Sequence, residues 1–481
     1  MKILVTGGSG VIGAGVIPEL LRRDHHVRLL SRHADADADQ WSGVEPFAGD
    51  VSNANSLRAA ADGCDAVLHI AGIAAEHPPD TTFEKINVGG TRNMLAEAAR
   101  AQVRRFVFVS SLGADHGTSA YHRSKLEAER LVQTSPLAWT IVRPGSVYGP
   151  GDEVISFLLK LIRALPVVTV IDDGNQPFQP IFYEDLGRAL AEVLEHELAS
   201  QTLEVGGAET TSMNDLLDRL GKITGREPRA VVSVPSTLAS IASKLVDLPI
   251  DDTKLAMLRE ENVIGGTNAL TEVLHLTPTP LDDGLRSLAQ NALPEQLPED
   301  GVGAMHHKHF EATLHGTTKS PEDVMEVLRD RIGEIMPIDF AAEPESESRL
   351  DLGNTLTGSL PVRGNFQVRV EKVEPRCVTL ATIEGHPIAG TVQFSTDDAN
   401  DGVAFAIDID SRAANFFDLV TLRTFGDIAQ DANWRAVIRR LADECGATVD
   451  RIESSKRTLT DQEAEQRERE MREMVMNRMS D

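Results

Sequence analysis

A glycine-rich turn directly after the first apolar run constrains this chain more than any other feature. Lys2-Ile3-Leu4-Val5-Thr6 breaks into Gly7-Gly8-Ser9-Gly10-Val11-Ile12-Gly13, and from Val11 to Leu21 apolar positions recur at helical spacing. Strand, tight turn and helix in that order aim the N–H groups of a helix N-terminus at a place where glycines leave room for a pyrophosphate. Gly8, Gly10 and Gly13 fit G-x-G-x-x-G, and Gly7, Gly10 and Gly13 fit G-x-x-G-x-x-G. Because the pattern follows a strand and opens a helix, it points to dinucleotide binding by Thr6, Gly7, Gly8, Ser9, Gly10, Val11, Ile12 and Gly13.

The next apolar run, His26 to Arg32, reads as a second strand. An acidic residue about 20 positions past the glycines takes the ribose 2′-hydroxyl in NAD-selective folds. This chain has Ser31-Arg32 there, a hydroxyl and a guanidinium suited to a 2′-phosphate, so NADP(H) is favoured over NAD(H). Val44 to Ala48 reads as a third strand, Ala54 to Asp62 as a helix and Asp65 to Ile70 as a buried strand. Such alternation implies right-handed crossovers and a doubly wound parallel sheet with ligands at the carboxyl ends of its strands. Asp50, Val51, Ala71 and Gly72 fall at such ends, where the adenine and its ribose would lie.

A helix from Thr82 to Gln102 carries Asn87, and the strand that follows ends in Ser110-Ser111. Ten residues later, Tyr121-His122-Arg123-Ser124-Lys125 opens another helix, whose i, i+4 spacing puts the phenol and the ammonium on one face. An ammonium close to a phenol lowers its pKa from about 10, which fits it to exchange a proton with a substrate oxygen during hydride transfer. Ser111 would orient that oxygen. A further strand then runs into Pro144-Gly145.

With these motifs in order, residues 1–292 resemble the short-chain dehydrogenase/reductase superfamily, in its extended and atypical branch of sugar-nucleotide epimerases and complex I accessory-subunit relatives. The resemblance implies NAD(P) bound at Gly7, Gly10 and Gly13, a catalytic group of Ser111, Tyr121 and Lys125, proton-relay support from Asn87, and a turn at Pro144-Gly145 beside the nicotinamide. Only nine residues separate Ser111 from Tyr121, fewer than in the sugar-nucleotide enzymes, which looks more like the complex I-related group. The leading expectation is an NADP(H)-dependent oxidoreductase acting on a small carbonyl or alcohol substrate. The competing expectations are an epimerase with tightly held NAD, and a non-catalytic NADP(H)-binding sensor or assembly protein.

The 481 residues carry a net charge of −27, which excludes a general role on nucleic acid or an anionic membrane surface. Scarce Lys beside abundant Asp and Glu suits either high salt or a GC-rich genome. Three scattered cysteines, Cys64, Cys377 and Cys445, indicate a reducing compartment without disulfides. Met1 leads straight into the first strand with no room for a signal peptide, and Leu158 to Ile171 is interrupted by Lys160, Arg163 and Pro166, so a cytoplasmic protein without a membrane span is expected. Nothing in the residues fixes the oligomeric state.

The expected organisation is a doubly wound α/β domain with its substrate lid over residues 1–293, a linker at 294–303, an α+β domain at 304–447 and a charged helical tail at 448–481. In the lid, Asp185 is expected to cap a helix, and Phe178, Phe182 and Tyr183 are candidate pocket walls. The second domain reads as strand, helix over Ser320 to Ile335, antiparallel strands and a long helix over Arg412 to Cys445 with a break near Gly426, the order of a helix-grip fold, which implies an apolar-ligand pocket. Ile383 to Gly390 resembles a motif of an uncharacterised bacterial domain family, with His386 as a ligand contact or a turn residue. His306-His307-Lys308-His309 is assigned no metal, because neighbours on a strand alternate faces and no carboxylate partner is evident.

Overall fold

The computed structural model describes residues 1–152, 154–164, 167–196, 198–224, 230–234, 262–291, 302–337, 340–342, 349–360, 364–383, 388–413 and 427–480. Its contacts divide into one unit of residues 1–158, 167–219 and 230–288 and another of 159–166, 220–229 and 289–481.

The first unit alternates strand and helix: β1 (Lys2–Thr6), α1 (Val11–Arg22), β2 (His26–Ser31), α2 (Ala34–Ala38), β3 (Glu45–Ala48), β4 (Ala66–His69), α3 (Gly89–Arg100), β5 (Arg105–Val109), α4 (Ala120–Gln133) and β6 (Ala138–Pro144). Short strands β7 (Val147–Tyr148), β8 (Val167–Ile171) and β9 (Ile181–Phe182) follow, with α5 (Ile155–Ala164), α6 (Tyr183–Glu195) and β10 (Gln201–Val205). All seven strands of the main sheet are parallel, in the order β10-β6-β5-β4-β1-β2-β3. The order reverses between β1 and β4, so a crevice opens at their carboxyl ends. The glycine turn after β1 sits there.

Each sheet face has its own core. One collects Val16, Ile17 and Leu20 of α1 with Leu186, Leu190 and Val193 of α6, and the other packs Met94 and Ala98 of α3 with Ala128 and Val132 of α4. Helices α1 and α6 meet closely because a Cβ on Gly15 or Gly187 would strike the other helix's backbone. Three local expectations fail. The stretch from Ala54 forms only a 3₁₀ turn to Leu57, since Ala59 takes the left-handed conformation at φ +71°, and the helix expected from Thr82 begins as a π turn over Glu84–Val88. Asp185 does not cap α6, whose N-cap is Phe182; its buried carboxylate instead accepts from the backbone N (2.7 Å) and hydroxyl (2.8 Å) of Thr279.

Between β10 and the second unit's sheet lie α7 (Met213–Thr224), β11 (Ala230–Val234), α8 (Ala269–Glu272) and α9 (Leu281–Asn291). That second sheet has eight strands: β12 (Val302–His315), β13 (Phe340–Ala342), β14 (Thr355–Leu360), β15 (Gly364–Glu374), β16 (Cys377–Thr382), β17 (Ile388–Ala399), β18 (Gly402–Ala413) and β19 (Glu453–Thr458). They are antiparallel, in the order β13-β14-β15-β16-β17-β18-β12-β19. Its helices are α10 (Pro321–Asp330), α11 (Ile332–Ile335), α12 (Asp427–Glu444) and α13 (Asp461–Ser480). Phe310, Phe394 and Phe405 pack with Val324 and Leu328 of α10 and with Trp434 and Val437 of α12 into one closed core.

The doubly wound sheet and the separate antiparallel domain are the two architectures expected, with several boundaries moved. Strand β12 starts at Val302, inside the stretch assigned to a linker. The helix expected over Ser320–Ile335 breaks at Arg331. Arg412 and Ala413 belong to strand β18 rather than to the start of the closing helix, and beyond the break expected near Gly426 the helix runs over Asp427–Glu444. The tail is more than a charged helix, because β19 pairs with β12 from His306↔Thr458 to Glu311↔Glu453. Ladder hydrogen bonds recruit this polar strand where hydrophobic periodicity could not reveal it. His386 lies outside the described residues. Among the described residues no helix is long and apolar enough to cross a membrane.

Phe405 is fully buried and stacks near Phe394, with ring centroids 6.2 Å apart. Phe405→Ala should therefore lower the stability of the second unit by about 3–5 kcal/mol, measured by urea unfolding.

Candidate active site

The three glycine positions of the turn differ in what they serve. Gly7 is held at φ +74°, and a Cβ there would lie 2.7 Å from Ala71 N; a Cβ on Gly13 would overlap the Gly8 carbonyl oxygen. Both are glycine because the chain's own backbones cross there. At Gly10 the nearest heavy atom to such a Cβ is Gly7 O at 3.7 Å, so the open side faces outward. Gly10 is also the N-cap of α1, with no side chain bonding the first-turn N–H groups. An uncapped helix start beside open space fits a pyrophosphate.

Behind this turn lies a hydrogen-bond chain that the sequence reading missed. Ala71 N–H donates to Thr6 Oγ1 (3.2 Å), and Thr6 Oγ1 meets His69 Nδ1 at 2.8 Å. His69 Nε2 meets Thr91 Oγ1 at 3.1 Å, and Thr91 donates to the Asn87 carbonyl at 2.7 Å. Thr91 spends its only hydroxyl proton on Asn87, so His69 donates from Nε2 and accepts at Nδ1. Full burial, with the positive charge of Lys125 adding to it, holds the His69 pKa down to about 3. A neutral imidazole thus ties the ends of β1 and β4 to the start of α3.

Asn87 is buried and bonds in three directions: its amide donates to Ile73 O (3.0 Å) and Ser124 Oγ (2.9 Å), and its Oδ1 accepts from Ile73 N (2.8 Å). On α4, Lys125 is buried, donates to Val109 O at 2.8 Å and lies 4.8 Å above the Phe108 ring. A Cβ on Gly72 would stand 3.2 Å from Asn87 Oδ1 and 3.5 Å from Lys125 Nζ, so both groups flank that glycine. Burial drives the Lys125 pKa down to about 8, against the opposing pull of Glu129. Ser119 caps α4 through His122 N (3.1 Å), which fixes where the helix begins and presents Tyr121 in its first turn. Tyr121 is hydrogen-bonded to Ser111, yet burial outweighs that bond and pushes the phenol above its usual value. This reverses the lowering expected from the Tyr-x-x-x-Lys spacing: the phenol keeps its proton at neutral pH.

Leu112 N donates to Pro144 O (2.8 Å), which joins the Ser111 strand end to the Pro144-Gly145 turn. Gly145 is needed there, because a Cβ would meet the Gln179 carbonyl oxygen. Ser111, Tyr121, Lys125, Asn87 and Gly72 therefore gather at the carboxyl ends of β4 and β5. At the far side of the sheet, Gly49 N bonds Ser31 O (3.0 Å), so the ends of β2 and β3 adjoin. Arg32 is exposed, whereas the Ser31 hydroxyl donates to Asp37 and accepts from His33 N (3.1 Å). The hydroxyl expected to help Arg32 is thus engaged. Asp50 accepts from Ser52 N (2.8 Å), and Val51 packs beside Gly90.

Other supports were also missed. Arg143 on β6 makes a buried two-point pair with Glu129 of α4 (2.9 and 2.8 Å) and reaches Asp115 at 2.6 Å. It thereby pins the short Ser111–Tyr121 loop to the sheet. Asn262 bonds Leu112 O (3.3 Å) and Ser146 N (3.2 Å). Phe182 is core, packed on Tyr148 at 5.3 Å, and Tyr183 lies against Gly15 and Gly149. Phe178 is bridged to Thr211 and Asn262. A lone Arg, Glu or Asn carries no motif, so spacing could not have singled these residues out.

Residues 7–155 match the family of NAD(P)H-binding domains. The chain is 27% identical over 281 residues to a ceramide reductase of Caulobacter vibrioides, a match covering 58% of this chain and 86% of that one. It is 32% identical over 186 residues to 4-hydroxy-2-methyl-3-oxo-4-farnesyl-3,4-dihydroquinoline-1-oxide ketoreductase of Stigmatella aurantiaca, covering 34% of this chain and 55% of that one. A 3β-hydroxysteroid dehydrogenase/Δ5→4-isomerase of Mycobacterium tuberculosis shares 31% over 183 residues, 32% of this chain and 49% of its own. The chain thus spans most of the first relative and about half of the other two. UDP-glucose 4-epimerase of Thermotoga maritima shares the fold, with a TM-score of 0.50 and 20% identity over 60% of this chain and 98% of that one. The first unit therefore holds an NAD(P)H-binding domain with a Rossmann-like fold.

His69 stays neutral in the folded chain but titrates near 6.5 when unfolded, so the unfolded state binds the extra proton and stability falls as pH drops from about 6.5 towards 3. The slope should reach about 1.4 kcal/mol per pH unit and flatten in His69→Asn, read from urea midpoints at pH 7 and 5.

Proposed function

We propose that the first unit is an NADP(H)-dependent oxidoreductase that reduces a ketone on an apolar, lipid-like substrate to the secondary alcohol. The observation that carries this reading is the Tyr121 phenol, hydrogen-bonded to Ser111 and kept protonated by burial, on the same helix as the buried Lys125 ammonium. A reduced nicotinamide bound along the glycine turn supplies the hydride. Ser111 and Tyr121 hold the carbonyl oxygen, and Tyr121 gives that oxygen its proton as negative charge develops on it, so the product is a neutral alcohol. Lys125 keeps a positive charge beside the site and would hold the nicotinamide ribose. Asn87 acts through its clamp on Ile73 and Ser124, and it supports proton return to the phenol.

The substrate class follows the relatives, whose names specify a ceramide, a farnesylated quinoline oxide and a hydroxysteroid, each with a large apolar part. The short loop from Leu112 to Ala120 tells against a sugar nucleotide. Arg32, exposed at the end of β2, supports the 2′-phosphate form of the cofactor, while Asp50, Val51, Ala71 and Gly72 would take the adenine end. We read the second unit as a helix-grip-like domain; its described core is packed by aliphatic side chains with Phe310, Phe394, Phe405 and Trp434, so an apolar ligand there would need space outside that core. A cytoplasmic location agrees with these features.

Purified protein should consume NADPH with a panel of 3-oxo sterols, oxo-sphingoid bases and prenylated ketones. Tyr121→Phe should lower kcat by about 10²–10⁴-fold while leaving NADPH binding intact. Full turnover in that variant would remove the assigned role, and a wild type that bound NADPH but turned over nothing would favour the sensor alternative. Arg32→Ala should raise KM for NADPH at least about tenfold and leave KM for NADH nearly unchanged, measured by initial rates.

A further inference from the structure

The His306–His309 tract has carboxylate partners after all, contrary to its reading from sequence. Side chains on a strand alternate faces, so His307 and His309 share one face of β12, while Lys308 points to the other and pairs with Asp431 (3.0 Å). Across the ladder His307 lies opposite Asp410 and His309 opposite Asp408. Two imidazoles and two carboxylates therefore form a square on adjacent strands, on the sheet face away from α12. Glu311 follows on the same face.

The hydrogen bonds give each group in the square a direction. His307 Nδ1 is 2.8 Å from Asp410 Oδ1, which turns Nε2 towards Asp408 Oδ1 at 3.5 Å. His309 Nδ1 is 2.8 Å from Asp408 Oδ1, and its Nε2 has Glu311 Oε2 behind it at 3.5 Å. Each ring thus presents one nitrogen to the Asp408 carboxylate and has its other nitrogen backed by a second carboxylate. Backing of this kind fixes the tautomer of a metal-ligating histidine and raises its basicity. The ligand atoms of His307, His309 and Asp408 all lie within 4.8 Å of one another. An ion bound at about 2.0–2.2 Å to each needs them about 3.0–3.5 Å apart, a change of a few tenths of an ångström for the two measured separations to Asp408.

We propose that His307 Nε2, His309 Nδ1 and the Asp408 carboxylate bind a divalent transition-metal ion of the zinc class, with Asp410 and Glu311 as positioning residues. Two imidazoles and one carboxylate select zinc, cobalt or ferrous iron over magnesium and calcium, which prefer all-oxygen sites. The side chains of His307, His309 and Asp408 are 16%, 32% and 28% exposed, so the remaining coordination positions face solvent and can take water or an anionic ligand. Arg467 Nε, 3.4 Å from Asp410 Oδ2, balances the charge of the positioning carboxylate rather than that of the ligating one. The site lies wholly within the second unit, and nothing in its argument depends on the activity proposed for the first.

The test uses the full chain, stripped with chelator and titrated calorimetrically with zinc chloride. One equivalent should bind, and Asp408→Asn and His307→Gln should each weaken it at least about 100-fold. Asp410→Asn should weaken it about 10–100-fold, as loss of an orienting partner does. Circular dichroism and unchanged urea unfolding of the second unit check that the variants fold. Zinc X-ray absorption on the wild type needs no variant and should show two imidazole nitrogens with oxygen donors. Failure of the stripped wild type to bind one equivalent, binding undiminished in Asp408→Asn and His307→Gln, or a first shell without two imidazoles would each overturn the assignment.

Discussion

Backbone crowding where β1 turns into α1 is the constraint on which the cofactor site depends. Gly7 must pass within reach of Ala71, and Gly13 must lie against the Gly8 carbonyl, before the helix N-terminus can face the crevice at the strand ends. A side chain at either position would push α1 away from the sheet. Displacement of α1 would then break its contact with α6, itself made possible by Gly15 and Gly187. The anion site and the helix layer beneath it are therefore one packing solution: the same close approaches that build the core leave Gly10 uncovered.

A second constraint follows from burying an ammonium next to that crevice. An isolated buried charge costs several kcal/mol, and Lys125 is compensated by the Val109 carbonyl, the Phe108 ring face and the Glu129 charge one helical turn on. Glu129 in turn is neutralised by Arg143, which also holds Asp115 in the loop ahead of Tyr121. One chain of charge compensation thus sets both the position of the ammonium and that of the phenol. Arg143 is one anchor of the short Ser111–Tyr121 connection, beside the bonds of Leu112 to Pro144 and Asn262. The neutral His69 network completes the arrangement from the other side, because a protonated imidazole there would compete with Lys125 for the same limited compensation.

Features governed by local periodicity and by glycine were legible in the chain itself. The parallel alternation, the turn at Gly7–Gly13 and the Tyr121/Lys125 face each arise from residues within a few positions of one another. What stayed hidden depended on partners far along the chain. Thr6 meets His69 across 63 residues, Arg143 meets Asp115 across 28, and Asp185 meets Thr279 across 94, so no spacing rule could pair them. The protonation of the phenol is hidden for a related reason, since the ammonium is visible at i+4 while the enclosure that raises the phenol against its bond to Ser111 is not. Polar strand β19 carries no apolar alternation and owes its place to the ladder alone.

The histidine tract shows how far register can change the meaning of residues. Read along the chain, His307 and His309 have no acidic neighbour closer than Glu311. Read across β12 and β18, each faces an aspartate, and the pair Asp408/Asp410 repeats the same two-residue period on the partner strand. A one-residue slip of that register would turn the carboxylates to the opposite face and bring Ile407 and Ile409 against the imidazoles. Phe405, Ile407 and Ile409 face the hydrophobic core, so burying them is what holds the aspartates opposite the histidines. The hydrophobic core of the second unit thereby sets the geometry of a polar cluster on its far face.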